Sequence, residues 1–138
     1  MLLNGLTSIH NDRDLLGVIQ NVMNSGGAST IDGVWNPYVD VVDTENYLHL
    51  YLDIPGVSER SIVLDFFNNK LSISGEKIKC YTTSALKNEI VYGKFIRCIT
   101  LPITVTNKGN VTVNYTNGVL IIAINKKKEE QNRFTIGV

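Results

Sequence analysis

The sequence contains few of the residues on which catalytic and metal sites depend. Its 138 residues include two cysteines, two histidines, three prolines and one tryptophan. Cys80 and Cys98 do not form a Cys-x-x-Cys pair, and they are accompanied only by His10 and His49. We therefore predict no metal site and no Cys–His dyad, and we interpret both cysteines as reduced thiols of a cytoplasmic protein. His49 is interpreted as a solvated strand residue and Cys98 as a packed one.

The chain also has no excess charge of one sign and no long apolar run. Thirteen basic and thirteen acidic residues give a formal net charge of zero, so neither a nucleic-acid nor a membrane partner is expected. The first residues have no basic region and no long apolar stretch, so neither a signal peptide nor a transmembrane helix is predicted. A phosphate-binding Gly-x-x-x-x-Gly-Lys-Ser/Thr loop is not found either. We expect no catalytic residue and no cofactor, and hence not an enzyme.

Residues 1–34 form a first zone that we interpret as a variable N-terminal arm. Its apolar residues recur at the spacing of an amphipathic helix, and residues 24–30 are predicted to be a flexible linker. A lone helix of this length is marginal in water, so it is expected to dock on its own domain, on a second copy or on a partner. The apolar stripe consists of Leu15, Leu16, Ile19, Val22 and Met23.

Residues 35–125 form a second zone with the pattern of a β-sandwich. Apolar and polar residues alternate over residues 48–52 and 62–66, as in half-buried strands. Asn117-Gly118 lies between two β-rich runs and predicts a two-residue type I′ hairpin. Residues 77–92 form a long excursion, with a short strand expected at residues 89–92.

Residues 126–138 form a polar extension that ends in Ile136-Gly137-Val138. In an extended segment, residues i and i+2 point to the same side. We therefore expect Ile136 and Val138 to project together from a charged tether that cannot bury itself.

Six motifs, in this order, resemble those of the small heat-shock protein family, whose members carry an α-crystallin domain. The resemblance covers residues 35–138 and leaves residues 1–34 unmatched. Its segments are Trp35-Asn36-Pro37-Tyr38-Val39-Asp40, Asp53-Ile54-Pro55-Gly56-Val57, Leu71-Ser72-Ile73-Ser74-Gly75-Glu76, the stretch from Gly93 to Pro102 with Phe95 and Arg97, Asn117-Gly118-Val119-Leu120, and Ile136-Gly137-Val138.

The resemblance implies an immunoglobulin-like sandwich of seven or eight strands and an ATP-independent holdase chaperone. It implies a dimer made through the long loop and larger homo-oligomers made when Ile136 and Val138 dock in a neighbour's groove. Unfolded client proteins are the other implied partners, and the stripe of the N-terminal arm is expected to contact them, to pack the oligomer, or both. The expected dimer-loop residues are Tyr81, Glu89, Tyr92 and Arg97. The expected groove residues are Ile62, Leu64, Phe66, Val111 and Val113.

The chain departs from the family pattern at two positions. Val113 stands where an alanine is usual, which is expected to narrow or reshape the groove, and Asn125 replaces a usual proline. The alternative functions are a co-chaperone adaptor of the CS-domain kind and a structural interaction protein on the same sandwich.

Overall fold

A computed structural model of the chain describes residues 29–31, 34–126 and 133–138. Its ten described strands form two packed sheets, one of order β1-β2-β7-β6-β5-β10 and one of order β3-β4-β9-β8. Every pairing is antiparallel except that of β2 with β7. The strands are β1 (Ser29–Ile31), β2 (Val34–Asn36), β3 (Val39–Asp43), β4 (Tyr47–Asp53), β5 (Val63–Phe67), β6 (Lys70–Lys77), β7 (Gly93–Thr100), β8 (Val111–Thr116), β9 (Val119–Asn125) and β10 (Arg133–Gly137).

The core lies between the two sheets and follows the alternation in the sequence. Strand β4 buries every second side chain, and β9, its neighbour, does the same. Because successive side chains of a strand point to opposite faces, one face of each strand fills the core and the other meets solvent. His49 lies on the outer face of β4, half-exposed between Tyr47 and Tyr51, as the sequence predicted. The fully buried residues of these two strands are Leu48, Leu50, Leu52, Leu120, Ile122 and Ile124.

The hairpin between β8 and β9 confirms the prediction made from Asn117-Gly118. Asn117 has φ 54° and Gly118 has φ 77°, and a type I′ turn requires positive φ at both central residues. A Cβ atom on Gly118 would also lie 2.9 Å from Cα of Pro55, so the turn packs directly on another loop. The backbone N–H of Ile54 donates to the carbonyl of Gly118 at 2.9 Å and joins the two loops.

Three of the sequence motifs meet at one packing cluster. Trp35 of β2 and Phe95 of β7 have ring centroids 5.1 Å apart, and the Trp35 indole N–H donates to the carbonyl of Gly93 at 3.0 Å. Gly75 of β6 lies directly opposite Phe95, whose ring covers the space where a side chain would be. The glycine therefore makes room for the aromatic residue on the neighbouring strand.

The structure differs from the sequence-based expectations at three places. Ser29 and Thr30, assigned to a flexible linker, belong to β1, which pairs with β2. No strand forms at residues 89–92, where a short one was expected, and none of the described strands pairs with this stretch. Eight strands, β2 to β9, correspond to the expected sandwich, and β1 and β10 extend one of its sheets at both edges. The apolar stripe of residues 15–23 lies outside the described residues.

Candidate functional site: an apolar groove at the sandwich edge

The candidate site is the edge of the sandwich where β5 and β8 face each other. Strand β8 is the edge of the four-stranded sheet, and β5 would be the edge of the other sheet if β10 were not paired with it. The structure brings the five predicted groove residues together at this edge, in and against one apolar cluster. Ile62, Leu64 and Phe66 are fully buried and form its floor, and the half-buried Val111 and Val113 form its β8 wall.

Strand β10 occupies this groove in the same chain. It pairs antiparallel with β5, with Phe134 opposite Phe66 and Ile136 opposite Leu64. The backbone N–H of Val138 donates to the carbonyl of Ile62 at 2.8 Å and extends the pairing by one residue. Backbone pairing and side-chain burial therefore both hold the segment.

The side chains of β10 alternate between the groove and solvent. Ile136 and Val138 are half-buried and pack on the core, and they share a surface pocket of about 340 Å³ with Val111 and Val113 of β8. Thr135 is exposed, and its hydroxyl lies 3.3 Å from a carboxylate oxygen of Asp65. Ile136 and Val138 therefore lie on the same side of the segment. Val113 stands in the pocket wall beside them.

A third β10 side chain, which the sequence reasoning missed, reaches the same face. The Phe134 ring stacks on the Phe66 ring, with centroids 4.7 Å apart and planes inclined by 21°. The signal for it was present in the sequence, since Phe134 stands two residues before Ile136 and continues the i, i+2 alternation.

The polar surroundings of the groove fix its shape. The Tyr115 hydroxyl at the end of β8 donates to the carbonyl of Ile54 at 2.7 Å, which ties the groove wall to the loop after β4. The exposed Glu59 and Lys108 also line the pocket. A groove that combines apolar and charged lining residues suits a segment that alternates apolar and polar residues.

The expected dimer-loop residues separate into two places. Tyr81 and Tyr92 meet edge to face at 6.3 Å, and the Tyr81 hydroxyl donates to the side-chain oxygen of Asn88 at 3.2 Å. Glu89 forms an exposed ion pair of 3.2 Å with Lys87 in the same loop.

Arg97 lies apart from that cluster, on β7. Its Nη1 donates to the carbonyl of Pro37 at 3.3 Å, and its Nε is buried with no hydrogen-bond partner among the described residues. Partial burial lowers the pKa of Arg97 from its usual value.

The loop itself carries exposed apolar side chains. Ile78, Leu86 and Ile90 are all exposed on the excursion between β6 and β7. Lys79 Nζ lies 5.7 Å from the Tyr81 ring centroid and 5.6 Å from that of Tyr92, so the base of the loop is ordered by cation–π contacts.

Comparison with known proteins decides the class of this sandwich. A family model described as the Hsp20/alpha crystallin family matches residues 40–138. The chain belongs to this family. Members of the Hsp20 family form a class of non-enzymatic chaperones.

Two relatives show the extent of the sequence similarity. The chain is 34% identical over 102 residues to small heat shock protein C4 of Rickettsia felis, a stretch that covers 71% of this chain and 61% of that protein. It is 25% identical over 113 residues to heat shock protein 16 of Schizosaccharomyces pombe, with 78% of each chain covered. The matched stretch thus spans about three-fifths of the Rickettsia felis protein's length.

Solved structures of Hsp20 proteins share the fold. HSP18.5 from E. histolytica superposes with a TM-score of 0.61 at 26% identity, over 70% of this chain and 93% of that one. The hspA protein of Xanthomonas axonopodis superposes with a TM-score of 0.58 at 33% identity, over 66% and 93%.

Two further features are absent from the described ranges. No helix there is long and apolar enough to cross a membrane. The same residues hold no group of three or more His, Cys, Asp or Glu side chains suited to a metal ion.

Proposed function

We propose that this Hsp20-family chain is an ATP-independent holdase, which binds partly unfolded proteins and prevents their aggregation. Family membership supports a chaperone role. The observation that carries the proposal is the apolar groove between β5 and β8, which is filled by a short strand on a charged tether. A groove of this kind accepts an extended segment through backbone pairing and through apolar side chains at alternate positions.

The contacts of β10 are strong enough to keep it in the groove and weak enough to let it dissociate. Full burial of a Val, Ile or Phe side chain contributes about 1.5–3 kcal/mol, and the β10 side chains are only half-buried. When β10 leaves, the apolar walls and the backbone donors and acceptors of β5 become accessible together. An unfolded segment is then able to add to the sheet edge as a strand.

Assembly is the second part of the proposal. We place the dimer contact at the loop between β6 and β7, where Ile78, Leu86 and Ile90 are exposed in the part of the chain that the structure describes. Larger homo-oligomers follow when the β10 segment of one copy occupies the groove of another. The pairing of β10 with β5 within one chain supports this mode of docking. The two free cysteines fit a reducing, cytoplasmic compartment.

The test of holdase activity is aggregation suppression without nucleotide. A thermolabile enzyme is heated with increasing amounts of the protein, and light scattering is followed. Suppression near stoichiometric ratios is expected, and a variant lacking residues 1–28, which keeps β1 and β2, is expected to protect less if the arm contacts clients. A folded protein that gives no suppression at any ratio or temperature contradicts the proposal and favours an adaptor or structural role.

Removal of residues 136–138 tests the assembly. The truncation deletes two half-buried side chains, the backbone hydrogen bond of Val138 and the pairing of Ile136 and Gly137 with β5, so the oligomer is expected to shrink to dimers or small species. Size-exclusion chromatography with light scattering measures the mass at several concentrations. An unchanged large particle would show that the N-terminal region alone drives assembly.

A further inference from the structure

We propose that the groove recognises three side chains rather than two, and that Phe134, stacked on Phe66, makes it selective for the Phe-x-Ile-x-Val segment of this chain. The occupant is the β10 segment, from the same chain or from a second copy. The inference rests on the proposed docking of β10 in the groove.

The first argument is the position of Phe134 within the register. Phe134 pairs directly with Phe66, two residues beyond the pairing of Ile136 with Leu64. Directly opposed residues of an antiparallel pair project to the same face, so Phe134 continues the row that enters the groove. The row therefore occupies positions from Ile62 to Phe66 along the floor.

The second argument is the ring contact. A centroid separation of 4.7 Å with planes 21° apart is a stacked arrangement, within the range of favourable aromatic pairs. With β10 in place, Phe66 is fully buried, so the Phe134 ring completes the cover of the Phe66 ring. An aliphatic or small polar residue at position 134 loses this contact entirely.

The third argument is register. A shift of the segment by one residue would turn all three apolar side chains to solvent. A shift by two residues keeps the apolar side chains in the groove but separates Phe134 from Phe66. Loss of the stacked ring pair is then the main cost of this shift. Thr135 and Asp65 reinforce the register on the outer face, with 3.3 Å between their side-chain oxygens.

The experiment uses the full chain and fluorescent peptides that correspond to residues 131–138. Anisotropy gives the apparent Kd of the wild-type peptide and of Phe134→Ala, Ile136→Ala and Gly137→Ala peptides. The resident β10 competes equally with every peptide, so the ratios of the apparent Kd values are preserved. The Gly137→Ala peptide is the matched control, because a Cβ atom at that position meets nothing within 4 Å.

The Phe134→Ala peptide is expected to bind about tenfold more weakly than wild type, and the Gly137→Ala peptide as tightly as wild type. A Phe134→Ala peptide that binds like wild type, while Ile136→Ala fails, overturns the third subsite and leaves β10 docking intact. Failure of all peptides, wild type included, at concentrations above the roughly millimolar effective concentration of the resident β10 overturns the docking itself and the third subsite with it.

A variant of the groove checks that the effect comes from the ring pair. In the full chain, Phe66→Leu keeps an apolar floor of similar volume but removes the aromatic platform. The ratio between the Phe134→Ala and wild-type peptides is then expected to fall towards one. An undiminished ratio would contradict the stacking argument. If this variant does not fold, the peptide series on the wild-type chain still tests whether Phe134 occupies a third subsite.

Discussion

Substitution of Gly75 by alanine tests the packing that joins two of the sequence motifs. An added Cβ atom would lie 2.6 Å from Cε1 and 2.9 Å from Cζ of the Phe95 ring, closer than real Cβ atoms approach a neighbour. The ring has little room to retreat, because Phe95 is fully buried and lies against Trp35. The clash is therefore relieved only by a shift of β6 or β7 or by a change in the contact between Phe95 and Trp35.

The expected cost follows from two opposing effects. Overpacking a core site destabilises a domain by about 1–3 kcal/mol. Replacing glycine by alanine also restricts the unfolded chain, which stabilises the native state by about 0.4–1 kcal/mol. The net loss is about 1–2 kcal/mol, and at 4–8 °C per kcal/mol the midpoint of thermal unfolding falls by roughly 4–16 °C.

Thermal unfolding followed by circular dichroism measures this loss at a fixed protein concentration, because association makes the midpoint depend on concentration. Gly137→Ala is the matched control: it also lies in a strand, its φ is not positive, and its new Cβ atom would meet nothing within 4 Å. The control is expected to unfold at or above the wild-type temperature. A Gly75→Ala variant that unfolds together with the control would refute the reasoning.

Two further predictions concern single groups. Tyr115→Phe removes the 2.7 Å hydrogen bond to the carbonyl of Ile54 and is expected to cost about 1 kcal/mol in urea unfolding; no change would mean that the bond does not hold the groove wall. Burial raises the pKa of the Cys98 thiol to about 11, against the opposing effects of Arg97 and Lys70. The unfolded chain therefore loses this proton first as the pH rises from about 9 to 11, and the unfolding free energy falls over that interval. Comparison with Cys98→Ala by denaturant unfolding at each pH should show a shallower fall in the variant, and parallel profiles would contradict the burial argument.

The parts of the fold that could be predicted are those coded by neighbouring residues. The turn at Asn117-Gly118 needs only two residues that tolerate positive φ, and the alternation in β4 and β5 needs only the period of a strand. The shared face of Ile136 and Val138 follows from the same period. Local chemistry was sufficient in each case.

The parts that could not be predicted depend on partners distant in the chain. Strand β1 has no strong alternation of its own and is defined by pairing with β2. The role of Phe134 depends on meeting Phe66, which lies 68 residues earlier. Likewise, Gly75 has a visible place in a motif, but only the structure shows that the Phe95 ring occupies its side-chain space.

Because β10 pairs with β5 of its own chain, a segment from a second copy must compete with it for the groove. Assembly therefore depends on concentration. A segment from a second copy would form the same contacts, so contact energy does not distinguish the two dockings. Nine consecutive Cα atoms join Asn125, the last residue of β9, to Arg133, the first of β10, which limits their separation to about 26–29 Å. Within that reach, the chain's own segment acts at an effective concentration on the order of millimolar. A neighbour's segment occupies the groove only when its local concentration is comparable with that effective concentration. The size of the oligomer is therefore expected to increase with the local concentration of the protein.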